Sequence, residues 1–130
     1  MIQVGSVYKL RGTENDPHYH VILFTAPEDN RVIACYLSSS KTHIDRTTTF
    51  TSGEDFFIGK ECWVKYQNVK ILSELDCRSS LFEYKGVASE STIRKIRNGF
   101  QNSLKKINRD VKDLYLEWRE EALLKGNDIW

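Results

Sequence analysis

The sequence predicts an α+β, mainly β protein, in which a small antiparallel barrel or sandwich is followed by one or two helices. The length of 130 residues suits one domain with one hydrophobic core. Residues 1–88 contain short β-branched and aromatic runs between turn-forming clusters. Residues 89–130 carry apolar side chains at helical spacing. We therefore expect a β region over 1–88, and a helical segment over 89–130 that packs on it within a single domain.

The β region divides into six predicted strands. The clearest pair is joined by "APEDN", which places Pro27 and Asn30 where a tight turn favours them. Strands that follow each other in sequence usually pair in space, and closure into a barrel protects their edges. The predicted strands cover residues 4–10, 19–25, 31–39, 46–51, 62–72 and 80–88.

The pattern changes to a helical period after Ser89. Ser89 is a good N-cap, and Glu90 in the first turn is favoured by the helix dipole. Gly99 and the polar run around Asn108 are possible breaks, so one long helix and two consecutive helices both remain open. The apolar stripe consists of Ile93, Ile96, Phe100, Leu104, Ile107, Val111, Leu114 and Trp118.

Composition narrows the classes of function only slightly. A net charge of +1 gives no global attraction to polyanions, so a nucleic-acid site would need local clusters of Lys and Arg. No apolar run approaches the roughly 20 residues of a membrane span, and residues 2–10 do not resemble a secretory leader. Three widely spaced cysteines, with no CxxC or HExxH pattern, indicate neither a disulfide framework nor a zinc site. We expect a cytoplasmic protein without metal, cofactor or membrane contact.

Two histidines near the start of the second predicted strand are the strongest candidates for chemistry. Side chains at positions i and i+2 of a strand share a face, so His18 and His20 are expected to project together. Imidazole titrates near neutral pH and suits either role in proton transfer. Structural histidines at the strand edge are the alternative, as is a metal site completed by His43, Asp45 and Cys35.

The order of several segments resembles the PemK/MazF-like toxin family. The similarity covers residues 4–103, and its most specific part, "DFFIGKECWVKYQNVKI", resembles a family segment with a turn, "PFI", a polar spacer and a strand with an aromatic Tyr. "YLSS" resembles the family's "LTS". The other similar segments are "VGSVYKL", "HYHVILF", "RVIACYLSSS" and "KGVASESTIRKIRNGFQNS".

This resemblance implies an SH3-like barrel with a C-terminal helix, usually as a homodimer. It also implies a metal-independent endoribonuclease that cleaves single-stranded RNA and is inhibited by an antitoxin protein. By position, Ser38 replaces the family's threonine, and His18 falls near the arginine of its Arg-Pro motif. This chain has "HYH" there and no Arg-Pro.

The remaining site residues are assigned from the chemistry that RNA cleavage needs. Arg46 and Arg78 are candidate phosphate ligands, because guanidinium binds phosphate through two hydrogen bonds. Asp76 is a candidate for orienting a histidine. Ser39, at the end of "YLSS", and Lys41, in the polar loop that follows, are expected to contact RNA.

Two other functions remain open at this point. One is a protein of the same fold that binds a protein or nucleic acid without cleaving it, since a fold does not fix function. The other is a small regulator whose C-terminal apolar stripe binds a partner helix.

Overall fold

The structure is a computed structural model that describes residues 2–13 and 18–126. The described chain is α+β, with one antiparallel sheet and three helices. The strands are β1 (Ser6–Leu10), β2 (Tyr19–Phe24), β3 (Arg31–Ser38), β4 (Thr49–Phe50), β5 (Cys62–Val64), β6 (Lys70–Ser73) and β7 (Phe82–Val87). The helices are α1 (Glu74–Arg78), α2 (Glu90–Asn102) and α3 (Arg109–Leu124), and a 3₁₀ turn spans Tyr66–Asn68. Within these ranges no helix combines the length and the apolar character needed to cross a membrane.

The sheet is open, and the predicted closure into a barrel is not observed. Its strand order is β4-β5-β3-β2-β1-β7, with β4 and β7 at the two ends among the described strands. β3 has two partners on one edge: its first half pairs with β6, and Leu37 and Ser38 pair with β5. β4 has only two residues and the segment 51–61 that follows is irregular, so no long strand extends from it toward β7.

Side chains of the segment 51–61 bridge the two ends of the sheet. The Asp55 carboxylate accepts hydrogen bonds from the Ser89 amide at 2.8 Å and the Thr92 hydroxyl at 2.7 Å. The Phe56 ring lies over Gly86 of β7, where an added Cβ would come within 3.1 Å of the ring. These contacts join β7 and the start of α2 to the segment that follows β4, where a closed barrel would have backbone hydrogen bonds.

The strand predicted over residues 62–72 is interrupted by the turn Tyr66–Asn68. Tyr66 is fully buried; its hydroxyl donates to the Ile96 carbonyl at 2.8 Å and lies 2.7 Å from the Thr48 hydroxyl. This anchor turns the chain, so that β5 and β6 pair with opposite ends of β3. The prediction of one continuous strand was therefore wrong, because a buried tyrosine fits a strand and a turn equally well by pattern alone.

The C-terminal segment forms two helices, as one of the two alternatives predicted. Ser89 caps α2 by accepting from the Thr92 amide at 3.2 Å, and the break lies at residues 103–108. Gly99 does not break α2: it is needed because a Cβ there would overlap the hydroxyls of Thr48 and Tyr66. The α3 stripe of Val111, Leu114, Tyr115 and Trp118 is buried in the core of this chain, which removes the reason to expect a partner helix.

The sheet has a hydrophobic cluster on each face. On one face, alternate side chains of β2 and β3, such as Val21 and Cys35, join the apolar stripes of α2 and α3 in the main core. On the other face, Ile22 and Ala34 join a smaller cluster covered by Cys77 of α1. α1, which was not predicted, is too short to cover this face fully. The uncovered end of the second face holds the histidines.

Candidate functional site

The predicted histidine pair lines an open cavity of about 500 Å³, the histidine cavity. β2 and β3 pair in a register that places His20 opposite Tyr36 and Tyr19 opposite Leu37. Because strand side chains alternate between faces, the two histidines and Tyr36 lie on the face away from the main core. The polar and aromatic side chains of the cavity belong to His18, His20, Tyr36, Gln67, Asn68, Lys70 and Asn108.

The two histidines have different environments. His20 is 3% exposed and lies between aromatic rings, with centroid distances of 5.4 Å to Tyr36 and 5.2 Å to Phe82. Burial, and to a lesser extent the neighbouring Lys70 and His18, lowers the pKa of His20 to about 4. His20 is therefore neutral at physiological pH, and its buried Nδ1 has no hydrogen-bond partner among the described residues.

His18 lies at the outer end of the same face and is half-buried. Its ring packs edge-on against Tyr36 at a centroid distance of 5.3 Å. Its backbone is held by β1: the carbonyl accepts from the Leu10 amide at 2.9 Å, and the amide donates to the Thr13 hydroxyl at 3.2 Å. Of the two imidazoles, His18 is the one that solvent and a substrate can reach.

The structure separates the predicted serines from the histidine cavity. Ser38 is 4% exposed, and its hydroxyl accepts from the Ser40 amide at 3.1 Å. Ser39 lines a different cavity together with Tyr19 and Leu37, which point to the main-core face. Ser38 is buried, and Ser39 follows the end of β3 and lines the cavity on the main-core side. The expected cleft shared by the serines and His18 is therefore not formed.

The cavity that contains Ser39 is an aromatic groove of about 470 Å³. Phe56 and Phe57 project from the segment 51–61, and Phe56 remains 58% exposed. Tyr19 packs against Phe57 at a centroid distance of 5.4 Å. Lys60 and Lys85 also line the groove. Aromatic rings and lysines in this arrangement suit a ligand with apolar and anionic parts.

The other four predicted site residues lie outside both cavities. Lys41 and Arg46 are exposed in the segment between β3 and β4. Asp76 forms a capping box at the start of α1, where its carboxylate accepts from the Ser73 amide at 2.9 Å and Ser73 Oγ accepts from the Asp76 amide at 3.0 Å. Arg78 is exposed in the last turn of α1. The role predicted for Asp76, orienting a histidine, is thus replaced by a helix-capping role.

Sequence reasoning missed Tyr36, Asn68, Lys70 and Asn108 in the histidine cavity. Tyr36 could have been predicted, because the predicted hairpin already placed it opposite the histidines. Asn68 and Lys70 were hidden by the prediction of one strand over 62–72. Asn108 comes from the connection between α2 and α3, and nothing in the sequence pattern places it near β2.

The described residues offer no group of three or more His, Cys, Asp or Glu side chains that could hold a metal ion. The three cysteines are buried, and burial raises the pKa of Cys35 to about 12 and those of Cys62 and Cys77 to about 11. Their thiols are therefore protonated at physiological pH and belong to the hydrophobic clusters.

Neither family models, nor curated proteins, nor solved structures give a match to this chain.

Proposed function

We propose that the protein is an endoribonuclease of the PemK/MazF-like toxin type that cleaves single-stranded RNA without a metal ion. The observation that carries this proposal is the histidine cavity, where a reachable imidazole, a lysine and amide side chains surround one open space beside an aromatic ring. These groups can bind a nucleotide by stacking, hydrogen bonding and charge. The resemblance of residues 4–103 to the toxin family gives the reaction class.

The proposed reaction is attack of a ribose 2′-oxygen on the adjacent phosphorus. His18 accepts the 2′-OH proton, the new bond forms a 2′,3′-cyclic phosphate, and the 5′-oxygen leaves with a proton from water. Lys70 balances the negative charge on the phosphate oxygens in the transition state. His20 is a positioning residue, because a neutral imidazole with a pKa of about 4 is a weak base at pH 7. Ser38 has no role in this step, since its hydroxyl is buried.

We also propose that the sheet is a bent sheet of the SH3-like barrel type. Its strands are short, β3 shares one edge between two partners, and the segment 51–61 bridges the end strands. A sheet whose central strand changes partner along its length must bend at that point.

Incubation of the purified protein with RNA in EDTA tests the proposed activity. Wild type is expected to leave 2′,3′-cyclic phosphate ends, and His18→Asn should slow cleavage about 100-fold or more, the usual contribution of a general base. Asp113→Asn is the control, since Asp113 is exposed on α3 and lies outside the histidine cavity. Equal cleavage by the two variants, or intact RNA with wild type, would remove the catalytic proposal.

The biological setting is a proposal of the same kind: a cytoplasmic homodimeric toxin neutralised by an antitoxin protein. Expression in bacteria should arrest growth with wild type and with Asp113→Asn, and should not do so with His18→Asn. The proposal also predicts that an antitoxin is encoded beside this chain and that its co-expression restores growth. Growth that is unaffected by wild type, in cells that contain the folded protein, would contradict the toxin proposal.

The second candidate is a binding protein without catalysis, favoured by the aromatic groove on the other side of the sheet. An exposed phenylalanine beside lysines, at a groove without histidine, is suited to binding rather than proton transfer. This candidate predicts saturable RNA binding with no product and no sensitivity to His18→Asn. It also predicts that Phe56→Ser weakens binding, whereas the catalytic proposal predicts little effect of Phe56→Ser on cleavage.

A further inference from the structure

A second cavity adjoins the histidine cavity across the turn Tyr66–Asn68. This lysine cavity, of about 280 Å³, is lined by His43, Ile44, Asp45, Lys65, Gln67 and Lys106. Gln67 lines both cavities, so they are neighbours on one surface. The Lys65 amide donates to the Tyr36 carbonyl at 3.2 Å, which joins a wall of one cavity directly to a wall of the other.

The turn between the cavities is held in place by the core. Because Tyr66 is buried and hydrogen-bonded to Ile96 and Thr48, the next two side chains, Gln67 and Asn68, must project outward. Their amides therefore lie between the cavities on a rigid support. Amide groups there can hydrogen-bond phosphate, ribose or base edges.

The charge exposed along this surface is positive. Lys65, Lys70 and Lys106 contribute ammonium groups, and Asp45 is the single carboxylate among the described residues that line the two cavities. Lys106 Nζ lies 3.4 Å from the Asp45 carboxylate, but the Asp45 side chain is only 10% exposed while that of Lys106 is 53% exposed. The ammonium group thus faces solvent, and the carboxylate is covered. In a chain of net charge +1, this is a local cluster of the kind that polyanion binding requires.

We propose that the two cavities form one track for the backbone of a single-stranded RNA, in which the lysine cavity binds phosphates that flank the site of cleavage. The inference rests on the proposed function and extends it, because it assigns substrate binding to Lys65, Gln67 and Lys106. Cleavage takes place in the histidine cavity, and the lysine cavity selects for strands long enough to cross the turn. The lysine cavity therefore discriminates between substrates by their length and not by the identity of their bases.

Binding of a fluorescent 2′-O-methyl oligoribonucleotide, which lacks the attacking hydroxyl and stays uncut, tests the track. The variant Lys65→Gln/Lys106→Gln should weaken binding about tenfold. It should also make the negative slope of log affinity against log salt shallower by about 1.4, because each lost phosphate contact contributes about 0.7. The matched control, Lys60→Gln/Lys85→Gln, removes two lysines from the aromatic groove and with them the ion pair of Lys85 with Glu83. It should leave affinity and slope unchanged.

The outcomes separate the track from the catalytic proposal. The track is overturned if wild type and Lys65→Gln/Lys106→Gln bind with equal affinity. It is also overturned if only the control loses binding, or if wild type binds no RNA. Thermal unfolding of each variant establishes that both are folded. Cleavage of a dinucleotide, too short to reach the lysine cavity, should be equal in wild type and Lys65→Gln/Lys106→Gln. A wild type that binds the oligonucleotide through these lysines but cuts no RNA would remove the ribonuclease proposal and leave the track supported.

Discussion

The two faces of the sheet differ in what covers them. One face is covered by α2 and α3, with a continuous core in which the rings of Phe24, Phe100 and Tyr115 lie 4.9–5.2 Å apart. The other face is covered only in part by the five residues of α1, and it keeps an open cavity with polar walls. The first face supplies most of the buried apolar area. The second is where we place the chemistry, because a reacting group needs access as well as support.

On the covered face, a backbone carbonyl at an irregularity of the sheet has hydrogen-bond partners. The pairing of β2 with β3 shifts register between Ile22 and Phe24, and the Leu23 carbonyl accepts two hydrogen bonds from Arg97 of α2, at 3.1 and 2.7 Å. The same guanidinium lies 4.8 Å from the centre of the Phe24 ring. On the open face, the buried Nδ1 of His20 has no partner among the described residues, as is also the case for Trp63 Nε1 and Ser103 Oγ elsewhere in the fold. A buried polar atom in this state costs free energy.

The largest expected effect is on the covered face, from Gly99→Ala. The new Cβ would overlap the hydroxyls of Thr48 and Tyr66 and disrupt the hydrogen bond from Tyr66 to Ile96. We expect a loss of about 3 kcal/mol in the free energy of unfolding, from overpacking and broken buried hydrogen bonds. Urea denaturation measures it.

Gly59→Ala is the control for this substitution, because no described heavy atom lies within 4 Å of its Cβ position. It should change the free energy of unfolding by less than about 0.5 kcal/mol. If the two alanine variants unfold at the same urea concentration, the close contact between α2 and Tyr66 does not exist in solution.

The next effect comes from the open face and depends on pH. Because burial lowers the pKa of His20 to about 4, the unfolded chain binds a proton at higher pH than the folded chain does. The contribution of the neutral imidazole to the free energy of unfolding is therefore fully present above about pH 6.5, and it is lost as pH falls toward 4. We expect a loss of about 2 kcal/mol between pH 7.5 and pH 5.

The variant His20→Leu should lose this part of the pH dependence, since leucine fills the space between Tyr36 and Phe82 without titrating. Urea midpoints at pH 7.5 and pH 5 measure the difference, with His43→Asn as a control that keeps the dependence of wild type. Five carboxylates have a lowered pKa and contribute mainly below pH 5: Asp29, Asp45, Asp55, Asp76 and Glu83. A His20→Leu protein as sensitive to pH as wild type would mean that His20 is not buried as described.

The smallest effect concerns the segment that bridges the ends of the sheet. Partial burial opposes ionisation of Asp55, but hydrogen bonds from Ser89, Thr92 and Phe56 lower its pKa below the ordinary value. Asp55→Asn weakens these bonds, so we expect a loss of about 1 kcal/mol. Faster amide hydrogen exchange over residues 51–61 should accompany it, because this segment is otherwise irregular.

Asp113→Asn serves as the control for Asp55→Asn. Asp113 is exposed on α3 and lies 3.9 Å from Arg109, so its loss should leave both stability and exchange unchanged. Unchanged exchange over 51–61 in Asp55→Asn would show that the bridge depends on the packing of Phe56 alone.

Local pattern was sufficient for most elements and for two of the seven polar and aromatic side chains of the histidine cavity. The β-branched and aromatic runs in "YHVILF" and "RVIACYLSS" predicted β2 and β3. The shared face of His18 and His20 followed from the alternation of side chains along a strand. Ser89 was predicted as the N-cap of α2. The failures lie where a contact distant in sequence decides: Tyr66, held by Ile96, splits one predicted strand into two, and Asp76 caps a helix whose five residues carry no periodic signal.

The sequence alone determined which side chains share a side of their own strand or helix, because that depends only on the period of the backbone. It could not determine what covers each side. The tertiary structure decided that two helices cover one face, that a cavity beside His18 stays open on the other while His20 is buried, and that Ser39 lies across the sheet from them. Those outcomes depend on contacts between distant segments, whose free energies reside in shape and burial rather than in any local pattern.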